Sequence, residues 1–519
     1  MILSKDNLKH IKTDKPAVPE ERLFDLPEKV LQFGTGVLLR GLPDYFIDQA
    51  NRKGLFNGRI VVVKSTGTTG NTDFEKQDNL YTLCIRGIQK EKAVEENIIV
   101  SAISRVIPAE KDWNAVLDFA RQPALKLILS NTTELGISLL KESIYQQPPA
   151  SFPAKLLAVL YQRYQAFEGS STAGLVVIAT ELIPDNGQKL QEIVTELARF
   201  NVLEARFIQW MQTHVEFCNS LVDRIVPGKP DQQTQAELEK QFGYHDELVC
   251  IAEPYRLWAI QGSAKVSSLL DFAKADQGMI VTGDIEQFKE LKVRLLNGTH
   301  TLSCGIAVLA GIDTVKNGMK LPVIDQYISR LMKEEIAMAV PYPLSEKIAL
   351  EFADIVLDRF ANPYIEHLWI NITSQYTMKM KIRVLPVLLN YYRQYNKIPR
   401  YITFGFAAFL HFMKSEKRGE SYFGNFNGLE YDINDEYAAY FYQKFQPLSS
   451  QKNINPSADQ HLSEKIYIQQ VLNDIEFWTT DLNVLPGFTA AVYTDYENIK
   501  RTGITAALAN LEKQPAQGK

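Results

Sequence analysis

The sequence predicts an α/β protein, with an N-terminal parallel-sheet domain over residues 1–284 and a mainly α-helical C-terminal domain over residues 285–519. Three observations carry that reading. Through the first half, short β-branched apolar runs alternate with helix-periodic stretches, the pattern of strands joined by crossover helices. A glycine turn links the first of those runs to the first helical stretch. After about Asp284 the strand signals fade and long apolar-periodic stretches take over.

In chain order, residues 1–26 read as a polar lead-in with little structure of its own. Val30-Leu31-Gln32-Phe33 is the first strand, Gly34-Thr35-Gly36 the turn, and Val37-Leu38-Leu39-Arg40 the start of a helix. Ile60-Val61-Val62-Val63 is short and β-branched, as expected of a strand buried on both faces. Leu125–Leu129 and Leu175–Ala179 are two more such strands, and helical patterns such as Asp112–Arg121 and Leu156–Phe167 lie between the runs. In the second half, Thr301–Ile312, Val323–Ala337, Leu344–Phe360, Lys381–Tyr395 and Tyr401–Phe412 predict helices. Pro447–Asp459 reads as a surface loop and Gln514–Lys519 as a frayed tail.

A chain of 519 residues suits two to four domains at ~150 residues each. Its 45% hydrophobic and 23% charged residues exclude a disordered, collagen-like or coiled-coil chain. The net charge of -5 offers no basic surplus, so no nucleic-acid partner is expected, and an anionic ligand must be met by locally placed cations. Cys84, Cys218, Cys250 and Cys304 form no CxxC pair, which points to reduced thiols. The seven histidines include no HExxH, so no metal site is expected. No run approaches the ~20 apolar residues that span a bilayer, and the N-terminus lacks a signal-peptide core, so a cytoplasmic location without a membrane partner is expected.

Gly34-Thr35-Gly36 stands between a strand and a helix, the setting of a dinucleotide fingerprint in a Rossmann-type domain. Glycines there permit positive φ and close approach of a pyrophosphate, and the helix start offers N–H groups. The third fingerprint glycine would fall at Leu39, with only Gly41 nearby. Phe33, Gly34, Thr35, Gly36 and Arg40 are the expected cofactor-binding residues, with Asn131 and Thr132 bordering the same crevice from the end of a later strand. No carboxylate ends the second strand to grip a ribose 2′-OH. Lys64 stands there instead, either meeting the 2′-phosphate of NADP or simply solvated.

Lys292, Asn297 and His300 lie in Lys292-Val293-Arg294-Leu295-Leu296-Asn297-Gly298-Thr299-His300. On an α-helix at about 100° per residue they share a broad face, with Lys292 and His300 ~12 Å apart along the axis. A substrate lying along that face would bridge them. Oxidation of a secondary alcohol needs a base, which a desolvated lysine supplies, and a donor to the oxyanion, which Asn297 supplies. His300 would hold a neighbouring hydroxyl, and Gly298 would leave room for a flat ring. Equally, a lysine and an asparagine on a helix are often merely solvated, and a lone histidine is often structural.

The phrase Lys292-x4-Asn297-x2-His300 resembles the catalytic signature of the polyol-specific long-chain dehydrogenases, the mannitol dehydrogenase family. Gln32-Phe33-Gly34-Thr35-Gly36 with Arg40, Gln77-Asp78-Asn79-Leu80-Tyr81-Thr82 and Asn219-Ser220-Leu221-Val222-Asp223-Arg224-Ile225 agree in order over nearly the whole chain. The resemblance implies NAD as cofactor, Lys292 as general base, Asn297 in the oxyanion site, and no metal.

Ser130-Asn131-Thr132-Thr133-Glu134-Leu135-Gly136-Ile137-Ser138, Glu181-Leu182-Ile183-Pro184-Asp185-Asn186-Gly187 and Gly243-Tyr244-His245-Asp246 are similar to members acting on hexuronates. That similarity implies NAD-linked interconversion of D-tagaturonate and D-altronate, a step in galacturonate breakdown, with a small sugar acid as substrate. Mannitol-type members carry an Asp-Asn pair where this chain has Glu181-Leu182, which leaves Asn297 as the remaining oxyanion donor and argues against mannitol as substrate.

A uronate needs a cation for its carboxylate. Lys379, with Lys381 and Arg383 after Asn362-Pro363-Tyr364-Ile365-Glu366-His367, resembles the family's second substrate-facing segment. Lys379 matches a substrate-side lysine there, and Arg383 is chosen on chemistry alone, as a fork for a carboxylate. The active site is expected between the two domains. The alternatives are a fructuronate reductase acting toward D-mannonate, a mannitol-type polyol dehydrogenase and, from another class, a non-catalytic dinucleotide-binding regulator. Oligomeric state stays open.

Overall fold

A computed structural model describes residues 1–11, 16–65, 72–445 and 456–513. The chain divides into two compact units, Met1–Ile285 and Glu286–Lys519.

The strands of the first unit are β1 (Glu28–Phe33), β2 (Arg59–Lys64), β3 (Tyr81–Gln89), β4 (Lys92–Val100), β5 (Ile103–Pro108), β6 (Leu127–Ser130), β7 (Val176–Ala179), β8 (Glu216–Cys218), β9 (Ser220–Asp223), β10 (Cys250–Ala252), β11 (Leu257–Gln261) and β12 (Met279–Thr282). Six of them form the expected parallel sheet, in the order β5-β2-β1-β6-β7-β8. Alternate residues feed two separate cores. Leu31, Phe33, Val61, Val63, Ile128 and Val177 enter one. Val30, Ile60, Val62, Leu127, Leu129, Val176 and Ile178 enter the other. Burial on both faces is why these strands read as unbroken apolar runs, each such side chain contributing roughly 1.5–3 kcal/mol. The crossover helices start on side-chain caps. Asp112 accepts from the Ala115 N–H at 3.0 Å and opens Trp113–Ala120, and Ser151 does the same at Ala154 for Phe152–Ala166.

Chain order reverses at β1, which has β2 on one side and β6 on the other. The register aligns Phe33 with both Val63 and Ser130, so the residues that follow these three strands share one carboxyl edge, where open α/β sheets bind ligands.

Two smaller sheets, β10-β3-β4 and β12-β11-β9, were not anticipated. The lead-in is also more ordered than its polarity predicts. Leu3 is fully buried with Leu80, Cys84, Phe242 and Tyr244, and its N–H bonds to the His245 carbonyl at 2.9 Å. Leu8 and Ile11 pack against the same cluster, so scattered apolar residues anchor a segment that reads as polar.

The second unit is mainly helical, as expected. Its centre is the helix Arg400–Phe412, buried from Tyr401 to Phe412. Glu335 accepts from the N–H groups of Tyr401 (2.9 Å) and Ile402 (2.8 Å), two donors that an α-helix start leaves unpaired. Gly405 lets the helix Thr299–Leu309 approach, since a Cβ there would lie 2.6 Å from Leu302 Cδ2. Strands were not expected here, yet β13 (Ser415–Arg418), β14 (Ser421–Phe426) and β15 (Leu429–Asp432) form an antiparallel sheet. Exposed charged side chains hid their alternation. The expected loop over Pro447–Asp459 lies partly outside the described residues, and from Pro456 the chain is helical. The expected tail, residues 514–519, lies wholly outside them.

Candidate active site

The glycine turn closes β1 by a bond from the Gly34 N–H to the Val63 carbonyl at 3.1 Å. Gly34 has φ +125°, and a Cβ there would lie 2.9 Å from Leu39 Cδ1 and 3.0 Å from the Asn131 carbonyl oxygen. Nothing but glycine fits, because the chain after β1 presses against the chain after β6. At Gly36 a Cβ would meet nothing within 4 Å, so the turn leaves open space on that side. The helix that follows is only Val37–Gly41. Leu42 breaks it, and Pro43 starts a second helix, Pro43–Arg52.

Phe33 is buried in the sheet, and Thr35 and Lys64 are partly exposed. Arg40 is buried, with Nη1 donating to the Leu248 carbonyl and its guanidinium 5.4 Å from the centre of the Tyr81 ring. It therefore braces the turn from within. Asn131 Nδ2 donates to the Thr180 carbonyl and hydroxyl, both at 3.0 Å. Thr132 donates to Glu181 Oε1 through its N–H (2.9 Å) and its hydroxyl (3.0 Å), and Ser130 Oγ donates to Oε2 at 3.2 Å. The buried Glu181 carboxylate thus fixes the whole loop bordering the turn, a role its position in the sequence did not reveal. Leu182 is 60% exposed and brings no donor. Arg224, within the Asn219–Ile225 phrase, donates to the Gly41 carbonyl at 2.6 Å and supports the end of the short helix.

In the second unit the signature segment departs from the α-helix assumed above. Glu286–Leu291 is α-helical, Lys292–Gly298 is wound as a π-helix, and Thr299–Leu309 is α-helical again. The wider i→i+5 turn alters the angular spacing, and such irregularities recur at functional sites. Lys292 and Asn297 are partly exposed, and His300 is buried. A Cβ on Gly298 would lie 3.7 Å from the Arg383 carbonyl, so this glycine faces protein, not the open room expected for a ring.

His300 stacks on Phe360 at 4.0 Å and 10°, with His367 edge-on at 5.1 Å and Trp369 at 5.9 Å. Its Nε2 is buried without a hydrogen-bond partner among the described residues. Burial holds the imidazole well below its usual pKa, helped by His367, Arg359, Arg383 and Lys379, so it is neutral at pH 7. Lys379 donates to the Ile372 carbonyl at 2.9 Å, and burial followed by the Arg383 charge lowers its pKa. Arg383 Nη1 donates to Thr301 Oγ1 at 3.3 Å, one residue beyond His300. Arg383 and Lys379 thus stand close enough to His300 to act on its charge.

A family model described as the mannitol dehydrogenase Rossmann domain matches residues 28–274, and one described as the mannitol dehydrogenase C-terminal domain matches residues 284–500. The chain belongs to the mannitol dehydrogenase family. Altronate oxidoreductase of Bacillus subtilis (strain 168) is 37% identical over 484 residues, 93% of this chain and 95% of that protein. Altronate oxidoreductase of Cronobacter sakazakii is 34% identical over 93% of this chain and 97% of its own. Pseudomonas fluorescens mannitol 2-dehydrogenase, solved as a ternary complex with NAD and D-mannitol, shares the fold at TM-score 0.67 and 22% identity, over 99% of this chain and 100% of that one. A substrate-free D-sorbitol dehydrogenase does so at TM-score 0.76 and 18% identity, over 98% and 100%.

Proposed function

We propose that this family member is an NAD-linked oxidoreductase interconverting D-altronate and D-tagaturonate. The observation carrying this reading is the cluster in the second unit, where a buried His300 Nε2, without a hydrogen-bond partner among the described residues, lies among Arg359, Arg383 and Lys379 on the helical run of Lys292 and Asn297. A neutral polyol needs no such concentration of positive charge; a hexonate carboxylate does. The altronate oxidoreductase relatives support the same substrate class.

The first unit suits a dinucleotide. Gly34 keeps the turn low, Gly36 leaves space above it, and the loop at Asn131 and Thr132 is held rigid by Glu181. Bound there, NAD would supply the acceptor for hydride. Lys292 takes the alcohol proton in oxidation and returns it in reduction. Asn297 donates an N–H to the oxygen as negative charge grows on it. His300, neutral, offers Nε2 to a neighbouring hydroxyl, and Arg383 forks onto the carboxylate with Lys379 as a second charge. Four buried, unpaired cysteines support a reducing, cytoplasmic setting.

The test is NADH consumption with D-tagaturonate, D-fructuronate and D-fructose. The reading predicts the highest kcat/KM with tagaturonate. A preference for fructuronate makes the chain act toward mannonate, preference for fructose makes it a polyol dehydrogenase, and NADH binding without turnover makes it a regulator.

A further inference from the structure

We propose that Arg294 is a positioning residue for this reaction: it clasps the segment carrying Arg383 onto the segment carrying Lys292 and Asn297. The inference rests on the reading above, because it assigns Arg383 to the substrate carboxylate. Two irregular helical segments meet here, Lys292–Gly298 and Met380–Val384, both wound i→i+5. Two residues after the second segment comes Pro386, which brings no backbone N–H to the carbonyls of the preceding turn. Arg294 supplies a donor there from the facing segment. Its Nη1 donates to the Ile382 carbonyl at 2.5 Å and to the Arg383 carbonyl at 3.2 Å.

The other edge of the guanidinium is held by Glu290, with Nε and Nη2 each 2.9 Å from a carboxylate oxygen. That fork fixes the plane of the group, and the side chains are only 10% and 15% exposed. The contact is reciprocal. The Arg383 side chain returns to Thr301 Oγ1, whose hydroxyl donates to the Asn297 carbonyl at 2.7 Å. The backbone of the proposed carboxylate ligand is therefore tied to one end of the catalytic segment by Arg294, and its side chain to the other end through Thr301. An arginine serving stability alone has no need to end on the carbonyl of a substrate-binding residue.

Lysine cannot replace this fork, since a point charge cannot bind Glu290 in two places while reaching two carbonyls. In the full-length protein, Arg294→Ala and Arg294→Lys should each lower kcat/KM for tagaturonate by ~10²-fold, the scale of a displacement near 1 Å, with KM rising most. NADH affinity should stay within about twofold by fluorescence titration, because its site lies in the other unit. Millimolar guanidinium chloride should restore part of the Arg294→Ala loss, and ammonium chloride at equal strength should not. Should the Arg294 variants not fold, Thr301→Val decides: losing the return bond should raise KM for the keto-acid by about threefold to tenfold at nearly constant kcat.

Folded Arg294 variants with unchanged KM and kcat overturn the proposal. So do a loss that guanidinium does not relieve, NADH affinity falling in step with turnover, or an unchanged KM in Thr301→Val. An active parent with unaltered variants defeats the clasp alone, whereas a parent inactive on every keto-uronate defeats the functional reading first.

Discussion

The glycine turn and the lysine segment are built from different materials. Around Gly34 the shape is made by backbone: one carbonyl within 3.0 Å of where a Cβ would stand, and a loop fixed by N–H and hydroxyl donors on Glu181. Around His300 it is made by side chains, with aromatic rings as walls and cations at the edge, on a helix whose winding is itself irregular. A backbone cradle recognises what every dinucleotide shares. On the proposed reading, the side-chain cluster discriminates among substrates and does the acid–base work, and hydrogen bonds to a distant segment hold its geometry.

The largest effect separating the two regions should come from Lys292→Ala. Loss of a positioned proton acceptor should lower kcat by ~10²–10⁴-fold while NADH binding persists, read by steady-state kinetics beside fluorescence titration. Equal loss of both would mean that the two regions are not functionally separate. The opposite pattern is expected from Gly34→Val. At φ +125°, with Leu39 and Asn131 in the way, the new side chain must displace the turn. NADH affinity should fall by at least ~10-fold, since strain of about 1–3 kcal/mol is imposed where, on the proposed reading, a pyrophosphate would approach, and kcat at saturating NADH should change much less.

A smaller effect should follow from Glu181→Gln. The amide keeps one acceptor oxygen for Thr132 but turns the other into a donor, so the Ser130 hydroxyl must reverse to accept and the charge that strengthened all three bonds is lost. Weakening these buried bonds costs about 1–3 kcal/mol, to be read from chemical denaturation, together with weaker NADH binding. Unchanged NADH affinity would show that the loop serves folding alone.

The backbone cradle was the more legible of the two. β1, the turn and β2 are contiguous in sequence, and double-sided burial writes itself as apolar runs; strand order alone then places Asn131 beside Gly34. What stayed hidden there was Glu181, because a carboxylate just after a strand carries no mark of the three donors that converge on it in space. In the helical unit, a family resemblance singled out Lys292, Asn297 and His300, but a 3.6-residue period does not describe them: their segment is wound i→i+5 where it lies against Met380–Val384. Arg294 looked like any helical arginine paired with a glutamate one turn back, since the two carbonyls it reaches lie almost ninety residues away. The strands β13–β15 escaped notice because their exposed faces carry charge, which conceals a two-residue period.

The mildest test of the contrast concerns a carboxyl sealed beneath the glycine turn. Asp44 is fully buried, and Gln32 Nε2 lies 3.4 Å from its Oδ2 while also donating to the Gly34 carbonyl at 3.3 Å. Burial pushes its carboxyl up to about 8, against the opposing effects of Gln32 and Arg40. The folded protein thus keeps this proton up to about pH 8, whereas the unfolded chain releases it near the ordinary value of 3.8. The folded state binds more protons across that window, so Asp44's contribution is fullest below pH 3.8 and declines as pH rises toward 8, by at most ~1.4 kcal/mol per pH unit. Asp44→Asn copies the protonated shape without the titration. Its Tm should lie nearer the parent's at pH 5 and exceed it by several degrees at pH 8, at about 1.5–2 °C per kcal/mol for a unit of this size, with kcat unchanged. Parallel Tm curves across that range would show that Asp44 is ionised in the fold and that the cradle rests on a charge.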